Sequence, residues 1–196
     1  MKEKIILIGC GGHARSVIEI IESTNYWAIE GLVGKKEELN KKILGYEIIA
    51  TDDDLEIIRE KIQYSFISIG QIKNSQTRVK ILEKLKKLNF KLPNLISSSA
   101  IVSRHSKLKY GISVGHGAII NAGAKIEENC IINSNALIEH DVEVSKNSHI
   151  STGALINGNV KIGKNCFIGS GSIIREGIKI PNNTIIGAGK TILNWD

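Results

Sequence analysis

A small α/β domain followed by a parallel β-helix is the fold this sequence predicts, and three observations predict it. The first is a six-residue recurrence running from Ile96 to Ile192, in which all seventeen positions are Ile, Val or Leu. The second is a companion set two residues before those positions, mostly small, including Ala100, Ala118, Ala124, Cys130, Ala136, Ala154, Cys166 and Ser172. The third lies at the other end of the chain, where the apolar run 4-KIILIG-9 leads through 9-GCGGHA-14 into 15-RSVIEIIES-23.

The period decides the second half. A helix repeats near 3.6 residues and a half-buried strand alternates at two. A period of six fits a coil of three six-residue faces, each turning one large and one small side chain inward. Coils of eighteen residues then stack about 4.8 Å apart, and seventeen faces make between five and six of them. Stacked aliphatics supply the core, which accounts for an aromatic content of only 5%. Cys130 and Cys166 occupy the small inward position two coils apart, roughly 10 Å at that spacing. They are too distant for a disulfide and read as buried fillers. With no CxxC pair, the three cysteines point to a reducing cytoplasm.

In the first half, Val17, Ile20 and Ile21 give the helix after the glycine turn its apolar face. Gly9, Gly11 and Ala14 satisfy G-x-G-x-x-A between strand and helix, a Rossmann-like arrangement in which bare backbone and a helix N-terminus face an anion. A tight turn without a ligand is the other reading. Further strands are expected near 28–33, 46–50 and 64–70, and helices near 52–62 and 74–88. Residues 1–92 form this domain, and Pro93 leads into the β-helix of 93–196. The position after the second strand reads 33-VGKK-36, without the acid that would hold an NAD ribose. About ninety residues are also too few for a complete dinucleotide fold, so NAD chemistry is excluded.

The net charge of +6 comes from dispersed lysines, concentrated locally at 35-KKEELNKK-42 and 84-KLKKLNFK-91. The second run shares a helix with Leu82, Leu85 and Leu88, so it reads as a solvated helix face rather than a nucleic-acid patch. No stretch approaches the ~20 apolar residues of a membrane span, and the opening apolar run is too short for a signal peptide. The predicted location is the cytoplasm. His105 and His116 read as surface residues. No third histidine stands at metal spacing near the remaining pair, so no metal is expected.

That pair is His140 and His149, in 137-LIEHDVEVSKNSHIS-151. His140 lies two residues after the core position Ile138. His149 lies one residue before Ile150, where a side chain points outward. Nine residues is half a coil, on the order of 15 Å at 3.3 Å per residue. The two can cooperate only if coils of neighbouring subunits pack side by side. One coil beyond His140 stands Gly158, whose missing side chain leaves room beside the imidazole and exposes a backbone N–H.

The N-terminal GCGGHA together with 138-IEHDVEVSKNSHISTGALINGNVKIG-163 resembles the bacterial sugar acetyltransferases: sialic acid O-acetyltransferases and N-acetyltransferases of nucleotide-linked 4-amino sugars. The hexapeptide pattern itself, as in 162-IGKNCFIGSGSIIREG-177, resembles the left-handed β-helix acyltransferases. The resemblance implies a left-handed coil, a homotrimer with active sites between subunits, and acetyl-CoA as co-substrate. It implies His140 as general base, Asp141 orienting its ring, His149 against the acetyl thioester and Gly158 donating its N–H to the oxyanion. Gly11, Gly12, His13 and Gly70 would hold the sugar or nucleotide portion of the acceptor; Gly153, Gly171 and Lys190 are placed on the coenzyme A path by their position alone. Relatives that read uracil carry acids where this chain has Gly34 and Lys35, which argues against a UDP handle. N-acetylation of a nucleotide 4-amino sugar is the leading expectation. O-acetylation of sialic acid or a related nonulosonic acid, and a non-catalytic binding or scaffold role, remain open at this level.

Overall fold

The computed structural model describes residues 2–72 and 74–195. The chain divides into two compact units: Met1–Gly70 with Gln76–Pro93, and Gln71–Ser75 with Asn94–Asp196.

In the first unit, β1 (Glu3–Ile8) is flanked by the parallel strands β2 (Trp27–Gly34) and β5 (Tyr64–Ile67). Strand β4 (Tyr46–Thr51) adds parallel to β2, and the short β3 (Lys42–Ile43) pairs antiparallel to β4. Ile5, Ile6, Leu7 and Ile8 are all buried, because a central parallel strand is covered on both faces. The helices are α1 (Gly12–Thr24), α2 (Leu55–Lys61) and α3 (Gln76–Lys87). On α3, Leu82 and Leu85 are buried while Lys86 and Lys87 stand near its C-terminus, as the lysine run predicts. The strand expected over 64–70 stops at Ile67. Beyond it Gly9 and Ile69 approach so closely that a Cβ on Gly9 would overlap Ile69, and Gly9 itself has φ +113°. Only glycine meets both demands.

The second unit is a three-sided parallel β-helix. Seventeen two-residue strands, β6 (Leu95–Ile96) to β22 (Thr191–Ile192), each end on one of the aliphatic positions of the repeat. They stack as three parallel sheets of six, six and five strands. The first face runs from Leu95–Ile96 to Ile185–Ile186, the second from Ile101–Val102 to Thr191–Ile192, and the third from Lys107–Leu108 to Lys179–Ile180. Inward aliphatics and small residues make one continuous buried column, with Cys130 and Cys166 in it as fillers. Each thiol reaches a carbonyl of its own surroundings, Ser145 for Cys130 and Pro181 for Cys166.

From Gly111 on, each corner turns through a left-handed residue, which selects Gly, Asn or Asp. After the third face this residue is asparagine in four successive coils. Asn129, Asn147, Asn165 and Asn183 form a side-chain ladder with amide-to-carbonyl distances of 2.9, 3.3 and 3.0 Å. After the first face it is Gly117, Asn135, Gly153, Gly171 and Gly189. After the second face it is Gly123, Asp141, Asn159 and Gly177. The corner after the second face carries His140.

Candidate active site

His140 precedes the left-handed Asp141, so the turn throws its ring out of the coil. The side chains of His140 and Asp141 are 65% and 67% exposed, and His140 Nδ1 lies 3.0 Å from Asp141 Oδ2. A carboxylate only accepts, so the proton sits on Nδ1 and Nε2 presents a lone pair. That nitrogen lies over Gly158: a Cβ there would stand 2.7 Å from both Nε2 and Cε1. Among the described residues no carbonyl accepts the Gly158 N–H. The imidazole thus fills the space that a side chain on Gly158 would take, and the glycine stacks one coil beyond the base as the eighteen-residue period predicts.

Two further residues shape this corner and were not foreseen. Gly123 stands one coil before Asp141, and a Cβ on it would overlap the Asp141 carboxylate. Glu139 Oε2 accepts the His140 backbone N–H at 3.3 Å and the Asn121 side-chain amide at 3.0 Å. Gly123 lies one coil length before Asp141 and Glu139 directly precedes His140, which are the signals that could have found them.

His149 differs from its expectation. It sits on the outer side of the first face, yet it is only 6% exposed. Gln71, packed in the same unit, covers it. Its Nδ1 lies 2.8 Å from the Gln71 carbonyl, so this ring too carries its proton on Nδ1, and it meets Phe167 edge-on at 5.2 Å. Gln71, itself buried, donates its side-chain amide to the Cys166 carbonyl at 3.2 Å. Strand alternation alone could not foretell a cover contributed from residues seventy-odd positions earlier.

Gly153 and Gly171 lie together on the corner after the first face, left-handed and with open space where a Cβ would be. Lys190 follows Gly189 on the same corner and is exposed. Within one chain the second face therefore separates this corner from His140, Asp141 and Gly158. Of the other histidines, His105 is exposed beside Arg104. His116, expected at the surface, is half-buried with Nδ1 2.6 Å from Ser97 Oγ, because the first coil folds Ser97 beneath it.

In the first unit, Gly11 and Gly12 are exposed at the start of α1, and a Cβ on Gly70 would lie 3.3 Å from the Cβ of His13. All four positions of the expected acceptor-binding set thus meet at one end of the parallel sheet. An acid does stand near the end of β2: Glu38 folds back to accept the Lys35 N–H at 2.8 Å. A Cβ on Gly34 would lie 3.0 Å from its Oε2. The sequence reading stopped at Lys36 and missed it. Burial, and after it the negative charges of Glu38 and Asp52, push the Cys10 thiol up to about 11. Cys10 is therefore a packing residue rather than a nucleophile. Among the described residues no three His, Cys, Asp or Glu side chains gather as a metal site, and no helix is long and apolar enough to cross a membrane.

Two families match the chain, one described as the PglD N-terminal domain over residues 4–85 and one as the bacterial transferase hexapeptide (six repeats) over residues 159–194. Among solved structures, PerB from Caulobacter crescentus in complex with CoA and GDP-perosamine superposes with a TM-score of 0.91. It is 30% identical, over 97% of this chain and 89% of that one. The chain belongs to the bacterial hexapeptide-repeat sugar acetyltransferases. Its β-helix is accordingly the left-handed form of that family. The acetyltransferase domain of PglB from Neisseria gonorrhoeae in complex with acetyl coenzyme A is 28% identical with a TM-score of 0.87, over 98% of this chain and 93% of that one. WeeI from Acinetobacter baumannii, 18% identical with a TM-score of 0.72, shares the fold. Curated protein sequences give no match.

Proposed function

We propose that this sugar acetyltransferase moves the acetyl group of acetyl-CoA onto the amine of a nucleotide-linked 4-amino sugar. The observation that carries the reading is His140 Nε2, proton-free because Asp141 holds Nδ1, set against Gly158, which has no side chain to crowd it and whose N–H no described carbonyl accepts. The acceptor amine attacks the thioester carbonyl directly. Its proton passes to Nε2, a step typically worth ~10²–10⁴-fold. The Gly158 N–H steadies the oxyanion, in comparable sites worth about 3–4 kcal/mol. Collapse breaks the C–S bond, and the imidazolium returns its proton to the departing thiolate.

The choice of amine and nucleotide is supported by relatives whose complexes hold CoA with GDP-perosamine, and by one of these enzymes that is a perosamine N-acetyltransferase. The turn of Gly11, Gly12 and His13 with Gly70 serves the acceptor's nucleotide or sugar portion.

The enzyme works as a cytoplasmic homotrimer. The outward side of the second face supports this, since Ile101, Ile119, Leu137, Leu155 and Ile173 make an aliphatic ladder along it, 63% exposed at Ile101. His140 borders one edge of that ladder and the Gly153–Gly171 corner the other. Packing of neighbouring chains brings the corner of one, with Gly153, Gly171, Lys190 and the adjacent His149, to the His140 of the next, where it lines the path of acetyl-CoA.

Thiol release from acetyl-CoA, measured against UDP-, GDP- and dTDP-linked amino sugars and against free and activated nonulosonic acids, tests the reading. Turnover of an amino-sugar nucleotide is expected. Turnover of nonulosonic acids alone would replace it with O-acetylation, and none at all would leave a binding protein.

A further inference from the structure

The His140 corner carries two carboxylates, and only one of them serves the imidazole. Asp141 is committed to Nδ1. Glu139 is half-buried and divides its oxygens. Oε2 holds the corner together, accepting from the His140 backbone and from Asn121 one coil earlier. Oε1 accepts from no described residue. The hydrogen bond at 3.3 Å fixes this carboxylate beside the backbone of the base. A carboxylate anchored at one oxygen and open at the other is a poor structural filler and a good receptor for a cation.

We propose that Glu139 is a specificity residue that selects an amine over a hydroxyl, by holding the acceptor's ammonium on Oε1 beside His140. The inference rests on the acetyl-transfer reading above and names what that site recognises. Alkyl amines are largely protonated at neutral pH and hydroxyls are neutral, so a fixed carboxylate distinguishes the two before chemistry begins. The ammonium must lose one proton before it has a lone pair, and that proton passes to water at the exposed corner before the attack. The neutral amine then forms the C–N bond, its second proton passes to His140 Nε2, and the C–S bond breaks to the thiolate that recovers it.

Glu139→Gln is the decisive variant, because the amide keeps an acceptor oxygen for the His140 N–H while removing the charge. It is assayed in the full chain with the amino-sugar nucleotide that turns over in the wild type. A lost charge-assisted hydrogen bond raises KM for that acceptor about tenfold or more. With the base undisturbed, kcat and the KM for acetyl-CoA stay within about threefold. The same variant also loses its preference for the amine over the matching hydroxyl sugar nucleotide. An unchanged acceptor KM overturns the proposal. So does a fall in kcat alone, which would make Glu139 a support of His140. A wild type that acetylates no amine fails the enzyme reading instead, and this inference falls with it. Asn121→Ala, which frees Oε2 from its second partner, provides a check on folding: its acceptor KM should change less than that of Glu139→Gln.

Discussion

The second and third faces of the β-helix are built on the same inward column and look outward on different worlds. Along the third face the outward residues are Lys107, Lys125, Glu143, Lys161 and Lys179, with Glu143 bridging Lys125 at 3.1 Å and Lys161 at 3.6 Å. Along the second they are aliphatic in five successive coils. The interior positions are dictated by stacking, so they cannot distinguish the faces. Only the outward positions can: they are charged along one face and aliphatic along the other, which is why the proposed trimer is placed on the second. His140 stands on the corner between them, at the edge of the aliphatic face.

The largest effect is expected at that corner. His140→Ala removes the base, and turnover should fall at least about 100-fold. The ring is 65% exposed and touches Gly158 and Asp141, so the fold should persist and the mass by light scattering should be unchanged. Wild-type activity in this variant would sink the mechanism. Gly158→Ala should be nearly as severe, since its Cβ would occupy the place of the imidazole. A circular dichroism melt separates this local displacement from unfolding.

Next comes the face itself. Leu155→Glu places a charge in the middle of the aliphatic ladder, and a buried unpaired carboxylate costs several kcal/mol. The mass should drop from trimer to monomer, with activity falling alongside it. A variant that stays trimeric would show that the second face is not the interface.

Most of this was legible because the repeat makes sequence separation into spatial separation. Seventeen positions stepping by six named the core, and eighteen residues put Gly158 over His140 before any coordinates. The same arithmetic carries the asparagine ladder, since Asn129, Asn147, Asn165 and Asn183 also step by eighteen. Contacts made across the repeat had no such ruler. His149 was expected to point outward into the open and is covered by Gln71, whose place depends on how the chain returns to the β-helix. Glu38 escaped for a related reason: a turn of 3₁₀ helix at Lys36–Glu38 folds it back to β2, whereas along the chain it stands beyond the end of the strand.

The asparagine ladder offers a smaller test, on stability alone. Asn147 accepts from Asn129 and donates to Asn165, and its φ is +59°. Asn147→Gly keeps the backbone and loses two hydrogen bonds, about 2 kcal/mol in urea unfolding. Asn147→Ala adds left-handed strain of roughly 1 kcal/mol more. Equal losses in the two variants would mean that the corner conformation is not what selects asparagine.

The smallest effect is expected on the third face, and it sharpens the comparison most. Lys125→Met removes an ion pair whose lysine and glutamate side chains are 59% and 39% exposed. Exposed pairs of this kind are worth about 0–1 kcal/mol, because water screens them and two long side chains must be held still. Stability should move by less than that, and both the oligomer mass and acetyl transfer should be unchanged. Leu155→Glu and Lys125→Met both alter one outward side chain on a short strand over the same kind of core. If Lys125→Met dissociated the oligomer and Leu155→Glu did not, the roles of the two faces would be reversed. The Gly153–Gly171 corner would then no longer be the one that meets His140.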